Sequence, residues 1–150
     1  MVSMSQLQGI SYDRASLFGM PHLGCEYTDG TGRYRVLEGE QCLICGAYRP
    51  LNAHHVVYRS VRKQFFLNGR GLRSPLFCLC GSGTQGCHGD VHAGRYKVLW
   101  EWDSPENESM WWSGELLDRY GPHSDELFGF GKYVIHDKKL DLDIHIRGIT

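Results

Sequence analysis

Cysteine and histidine are the chemically loaded residues of this 150-residue chain, and most of them fall between positions 42 and 92. Cys42-Leu43-Ile44-Cys45-Gly46 is a Cys-x-x-Cys turn, in which the two-residue spacing lets both thiolates reach one tetrahedral ion while Gly46 relieves the backbone. A second pair must come from farther along. Cys80 and Cys87, on either side of a glycine-rich loop, are the best candidates, and Cys78 is a spare two residues from Cys80. The expected site is a structural Zn²⁺ on Cys42, Cys45, Cys80 and Cys87; the plainer alternative is a set of buried, reduced thiols. Cys25 stands outside the group and reads as a core cysteine.

Nitrogen forms the second constellation. His54 and His55 are adjacent on a strand candidate, so they point to opposite faces and cannot play the same role. His88 and His92 are spaced i, i+4, which puts both imidazoles on one face of a helix. If that helix packs on the strand, one strand histidine meets the two helix histidines around a single ion, and the other is left to act as a base.

The elements that must position these groups are short. Asp29 to Gly32 is a turn signal followed by a strand from Arg33 to Leu37, and Leu51 to Val57 is a second strand. Ser60 to Ser74 reads as a basic and aromatic loop, Pro75 to Cys80 as a strand, Gly81 to Gly86 as a loop, and Cys87 to Tyr96 as a helix. Ser124-Asp125-Glu126 looks like a capped helix start. Leu140, Leu142, Ile144 and Ile146 alternate with polar residues, which predicts a strand over 140–146 paired with Tyr133 to Ile135.

Composition bounds the rest. With 41% hydrophobic and 22% charged residues, and a formal net charge of -1, the chain suits one domain and excludes a disordered tail or a small disulfide-stapled toxin. No apolar run reaches the roughly 20 residues of a membrane span, and Met1 to Tyr12 lacks a secretory leader, so a cytoplasmic protein is expected. The near-neutral total hides a partition: residues 42–97 carry eight basic side chains against one acid, whereas the flanks together sum to -8. The central block has the sign that polyphosphates attract; a solvated basic face balanced by an acidic one is the blander reading.

Cys42-x-x-Cys45, Ala53-His54-His55-Val56-Val57 and Leu79-Cys80-Gly-Ser-Gly-Thr-Gln-Gly-Cys87-His88-Gly-Asp-Val-His92 together resemble the HNH nucleases, also called His-Me finger or ββα-metal nucleases, in the small zinc-stapled form common in bacteriophages. The resemblance spans about residues 40–97. It implies an α+β fold: a ββα-metal core stapled by a four-cysteine zinc, with β-rich extensions over residues 1–39 and 98–150, the second acidic and rich in tryptophan. It also implies that His55 is the general base and that His54, His88 and His92 hold one catalytic divalent cation. Three imidazoles make a softer site than magnesium prefers, so Mn²⁺, Ni²⁺ or Zn²⁺ suits it alongside weakly held Mg²⁺. One position departs from the family: its asparagine on the second strand has no counterpart in Arg73-Ser74-Pro75-Leu76-Phe77, where Ser74, or Asn68 from the preceding loop, would have to serve instead.

The expected activity is hydrolysis of DNA phosphodiester bonds to 5'-phosphate products. Arg59, Arg62, Lys63, Arg70, Arg73 and Arg95 are the expected DNA contacts, with Phe65 and Phe66 either anchoring their loop or wedging into the minor groove. Asp90 is expected to face away from the ion, and Trp111-Trp112 to be buried. Two other classes stay open: a zinc-stabilised nucleic-acid-binding module without catalysis, favoured by the missing asparagine, and a phage packaging, assembly or inhibitor protein, favoured by the acidic flank.

Overall fold

The computed structural model describes residues 12–28, 33–48, 50–57, 65–82 and 84–148. Over these residues the chain is a mixture of α and β built from small sheets and short helices. Its elements run α1 (Tyr12–Ala15), β1 (Cys25–Tyr27), β2 (Tyr34–Val36), β3 (Leu51–His55), β4 (Phe65–Leu67), β5 (Arg70–Leu72), β6 (Leu76–Cys80), α2 (Gly86–His92), β7 (Tyr96–Trp102), α3 (Pro105–Trp112), α4 (Glu115–Tyr120), a 3-10 turn (Asp125–Gly129), β8 (Gly131–Asp137) and β9 (Leu142–Ile146).

β6 is the centre of the site-bearing half. All five of its residues are buried, which explains why Leu76-Phe-Cys-Leu-Cys80 is an unbroken apolar run rather than an alternating one. One edge pairs antiparallel with β3, placing Leu51 opposite Cys80 and His55 opposite Leu76. The other edge is covered by the N-terminal segment, where the Leu23 amide donates to the Leu76 carbonyl (2.9 Å) and the Cys78 amide donates to that of Leu23 (2.9 Å). α2 follows β6 after the glycine-rich loop. Gly81 and Gly86 sit at positive φ, and a Cβ on either would lie 2.1 Å from the Gln85 carbonyl oxygen or 2.6 Å from that of Cys80. The loop can therefore close tightly enough to bring Cys87 back to Cys80 only with glycine at both positions.

Residues 60–74 are not all loop. Phe65–Leu67 and Arg70–Leu72 form a hairpin, turned by Asn68 and Gly69 with φ of 51° and 79°. Asn-Gly with both residues left-handed is the turn whose twist matches paired strands, so Asn68-Gly69 marks a hairpin inside the segment expected to be a loop. α2 is also shorter than 87–96: it ends at His92, Gly94 takes φ of 87°, and Tyr96 already belongs to β7.

The C-terminal part forms a three-stranded sheet, β7-β8-β9, with Tyr133 opposite Ile146 and Ile135 opposite Ile144. The 140–146 expectation thus holds from Leu142. This part is helical as well as β-rich. Ser104 caps α3 by accepting from the Asn107 amide, with Pro105 at its first turn and Glu106 and Glu108 beside the positive helix end. The Ser124 side chain accepts from the Glu126 amide and starts the 3-10 turn in place of a full helix. Trp111 and Trp112 are buried. One apolar cluster joins Leu17, Phe18 and Met20 to Phe77 and Leu79 of β6, Trp111, Leu116 and Tyr133, so both flanks share the core of the central block. No helix among the described residues is long and apolar enough to cross a membrane.

Candidate metal centres

The four-cysteine group assembles from three places. Cys42 and Cys45 lie on a turn closed by two hydrogen bonds, Cys42 amide to Ala47 carbonyl and Gly46 amide to Cys42 carbonyl, both 2.9 Å. Cys80 ends β6, and Cys87 opens α2. Their four Sγ atoms lie within 4.8 Å of one another. Cys45 and Cys80 are 3.7 Å apart, sulfur to sulfur, far beyond a disulfide bond of about 2.05 Å. Four sulfurs at about 2.3 Å from a tetrahedral ion would stand about 3.8 Å apart, so the cage has the size that a metal needs.

The electrostatics agree. Burial opposes ionisation at Cys45, but hydrogen bonding with the Ala47 backbone and the neighbouring thiols outweighs it and brings the thiol down to about 7. Burial, and then the charge of Cys42, push Cys87 up. Four clustered thiols cannot all carry charge unaided; a divalent cation removes that conflict. The two remaining cysteines have other duties. Cys25 is core, and the buried Cys78 thiol donates to the Gln41 carbonyl at 3.0 Å.

The second group stands on the neighbouring face. His54 projects from β3 toward α2, where its ring centroid is 5.0 Å from that of His88 and 5.2 Å from that of His92. The Nε2 atoms of His88 and His92 are 3.0 Å apart, and one ring nitrogen from each of the three residues lies within a 4.8 Å span. Burial, then the nearby His88, His92 and His55, hold His54 down to about 3, and His88 is lowered by burial and by His92. Both are therefore neutral near pH 7, the state in which imidazole binds metal. The Nδ1 atom of His88 is buried and has no hydrogen-bond partner among the described residues. Converging neutral donors fit a divalent cation.

His55 has different company. Its ring lies edge-on to Tyr34 at 4.9 Å and 6.2 Å from Tyr27, both on the β1-β2 hairpin. This aromatic wall carries no sequence signal, because the hairpin reaches β3 only through the fold. Beyond it, His22 and His123 stack at 4.0 Å, and the Arg73 guanidinium lies over Tyr27 at 4.9 Å.

The basic residues divide. Arg59, Arg62 and Lys63 lie outside the described residues, as does the turn at 29–32. Arg70 donates to the Leu117 carbonyl (3.1 Å) and faces Asp118 (3.5 Å). Arg95 forms a two-pronged pair with Asp137 (3.1 and 2.9 Å) and approaches Asp90 at 3.5 Å; Asp90 belongs to neither metal group. Phe65 is buried and anchors its strand to the core, whereas Phe66 is 47% exposed. The Ser74 hydroxyl accepts from the Val57 amide (2.8 Å) and donates to the Pro75 carbonyl (3.0 Å). The Asn68 amide donates to the Ser113 carbonyl at 2.8 Å, so that side chain is committed to the α3-α4 turn.

No family model matches the chain, and neither a curated protein nor a solved structure matches it.

Proposed function

We propose that the chain is a metal-dependent DNA endonuclease of the HNH type, with β3, β6 and α2 as its ββα-metal core. The observation that carries this reading is the convergence of His54, His88 and His92 within 4.8 Å beside a separate four-thiol group, with His55 next in the chain on the other face of β3.

Each group has a task. Cys42, Cys45, Cys80 and Cys87 would hold a structural zinc that ties the end of β6 to the start of α2, so His88 is fixed one residue after a ligand. His54, His88 and His92 would hold the second cation, which would supply Lewis-acid charge stabilisation to the phosphate under attack. His55 acts as general base: its imidazole takes a proton from a water aligned with the phosphorus. The water oxygen bonds to phosphorus as the bond to the 3' oxygen breaks, a solvent water protonates that oxygen, His55 returns its proton to solvent, and 5'-phosphate and 3'-hydroxyl ends result. Among the described residues β3 pairs with β6 alone, so groups on its two faces would flank one backbone edge where a phosphodiester could meet both. Tyr27 and Tyr34 restrict the His55 ring from the side.

Ser74 favours a second reading, a zinc-stabilised nucleic-acid-binding module that does not cut. It stands near where the family carries asparagine, and its hydroxyl is already engaged by backbone groups of Val57 and Pro75. Plasmid DNA separates the two. The nuclease converts supercoiled plasmid to nicked or linear forms when Mn²⁺ or Mg²⁺ is added; a binding module retards the plasmid and leaves it supercoiled.

A further inference from the structure

β9 is an edge of the C-terminal sheet: it pairs with β8 and, among the described residues, with no other strand. The ladder fixes which of its backbone groups point outward. At the two ends of the β7-β8 pairing, the Lys138 amide donates to the Arg95 carbonyl (2.8 Å) and the Asp103 amide to the Phe130 carbonyl (2.9 Å). Alternation then turns the backbone of Lys132, Val134 and His136 toward β7, and that of Tyr133, Ile135 and Asp137 toward β9. Their partners on β9 are Ile146, Ile144 and Leu142. The amides and carbonyls of Asp143 and His145 therefore face away from the sheet, and none of the four has a hydrogen-bond partner among the described residues.

The side chains of this strand complement themselves. Asp143 and His145 are exposed on one face, where Asp143 accepts from the His136 ring at 2.7 Å. Leu142, Ile144 and Ile146 share the other face: the two isoleucines pack against the core, while Leu142 stays 45% exposed. A second β9, antiparallel about a two-fold axis at Ile144, pairs all five strand residues. Asp143 then faces the partner's His145, Leu142 faces the partner's Ile146, and Ile144 faces its own copy. Moving the axis by one residue pairs only three of the five, and sets Asp143 against the partner's Asp143 or His145 against the partner's His145. Charges on an edge strand normally block pairing. Here the register that pairs the whole strand sets each carboxylate against an imidazole, whose N–H donates in either charge state. We propose that β9 is a self-association edge, at which two copies of this chain join their three-stranded sheets into one of six strands. The proposal is independent of the nuclease reading, and its test uses no DNA.

One strand pair makes a small interface, under about 1,200 Å², so the dimer is weak and concentration-dependent. Sedimentation velocity of the full-length, zinc-loaded protein from about 5 to about 500 µM should show monomer giving way to dimer. Across the same range, hydrogen exchange read by NMR should slow about ten-fold at the Asp143 and His145 amides, while the Ile144 amide, already bonded to β8, changes little. His145→Asp sets like charges opposite each other twice and should raise the dimer dissociation constant about ten-fold. His145→Lys keeps opposite charges there and should leave the constant unchanged or lower it. Position 145 is exposed, and a melting curve checks that both variants fold. A protein that stays monomeric at the highest concentration would overturn the proposal and leave the edge to a different partner. A dimer whose Asp143 and His145 amides exchange as freely as in the monomer would place the contact elsewhere and also overturn it. Equal association by His145→Asp and wild type, or His145→Lys as weak as His145→Asp, would overturn the register.

Discussion

His54 and His55 are consecutive in the chain yet belong to different chemical neighbourhoods: His54 is buried against His88 and His92, while the ring of His55 lies edge-on to Tyr34 at 4.9 Å. Strand alternation alone produces this separation. On the proposed nuclease reading, one imidazole would bind metal and the other accept a proton, and substitutions at the two positions should fail in different ways.

The thiol cage should contribute folding free energy, because it joins the 42–47 turn, β6 and α2. The purified protein is expected to retain one zinc per chain in that cage through dialysis, measured by atomic emission, and Cys45→Ser is expected to yield an unfolded or aggregated product. A zinc-free Cys45→Ser protein with wild-type circular dichroism and melting would contradict the assignment.

Much of this site was legible because ligand geometry is local. Cys42-x-x-Cys45, the His88 and His92 spacing and the alternation of His54 with His55 each state a spatial relation in a few residues. The partners of His55 were not legible: Tyr27 and Tyr34 reach it from a hairpin about 20 residues and more upstream. Nor were the ion pairs of Arg70 with Asp118 and Arg95 with Asp137, which join residues more than 40 positions apart. Asn68-Gly69 does state its own geometry locally, as the turn between β4 and β5.

That hairpin gives a clean contrast. Phe65 packs against Phe18 at 5.7 Å and Trp112 at 6.2 Å, whereas Phe66 is half exposed. Phe65→Ala should cost about 3–5 kcal/mol of stability, and Phe66→Ala should stay within about 0.5 kcal/mol of wild type. Urea unfolding measures both, and a comparable loss at the two positions would mean that the strand faces the other way.

The stacked pair His22 and His123 makes stability depend on pH. Burial first, then His123 and His55, lower His22 to about 3, and burial lowers His123 to about 4, both from 6.5. The unfolded chain therefore binds these protons more readily, so stability is full above about pH 6.5 and falls as pH drops toward the folded values, by about 1.4 kcal/mol per pH unit for each group. Asparagine tolerates the φ of 61° at position 123. His123→Asn should remove one group's share of the slope between about pH 4.5 and 6, read from urea midpoints; an unchanged slope would show that His123 does not titrate on unfolding.

The division between neighbouring histidines is tested most directly by measuring plasmid cleavage against Mn²⁺ concentration for wild type, His54→Ala and His55→Ala, with bound metal counted in each. His54→Ala should bind the second metal weakly and regain part of its activity at high Mn²⁺. His55→Ala should keep both metals and lose about 10²-fold or more in cleavage at every Mn²⁺ concentration, the scale of a missing general base. Cleavage by His55→Ala at the wild-type rate, or a wild type that cuts no DNA with Mg²⁺, Mn²⁺, Ni²⁺ or Zn²⁺, would contradict the account.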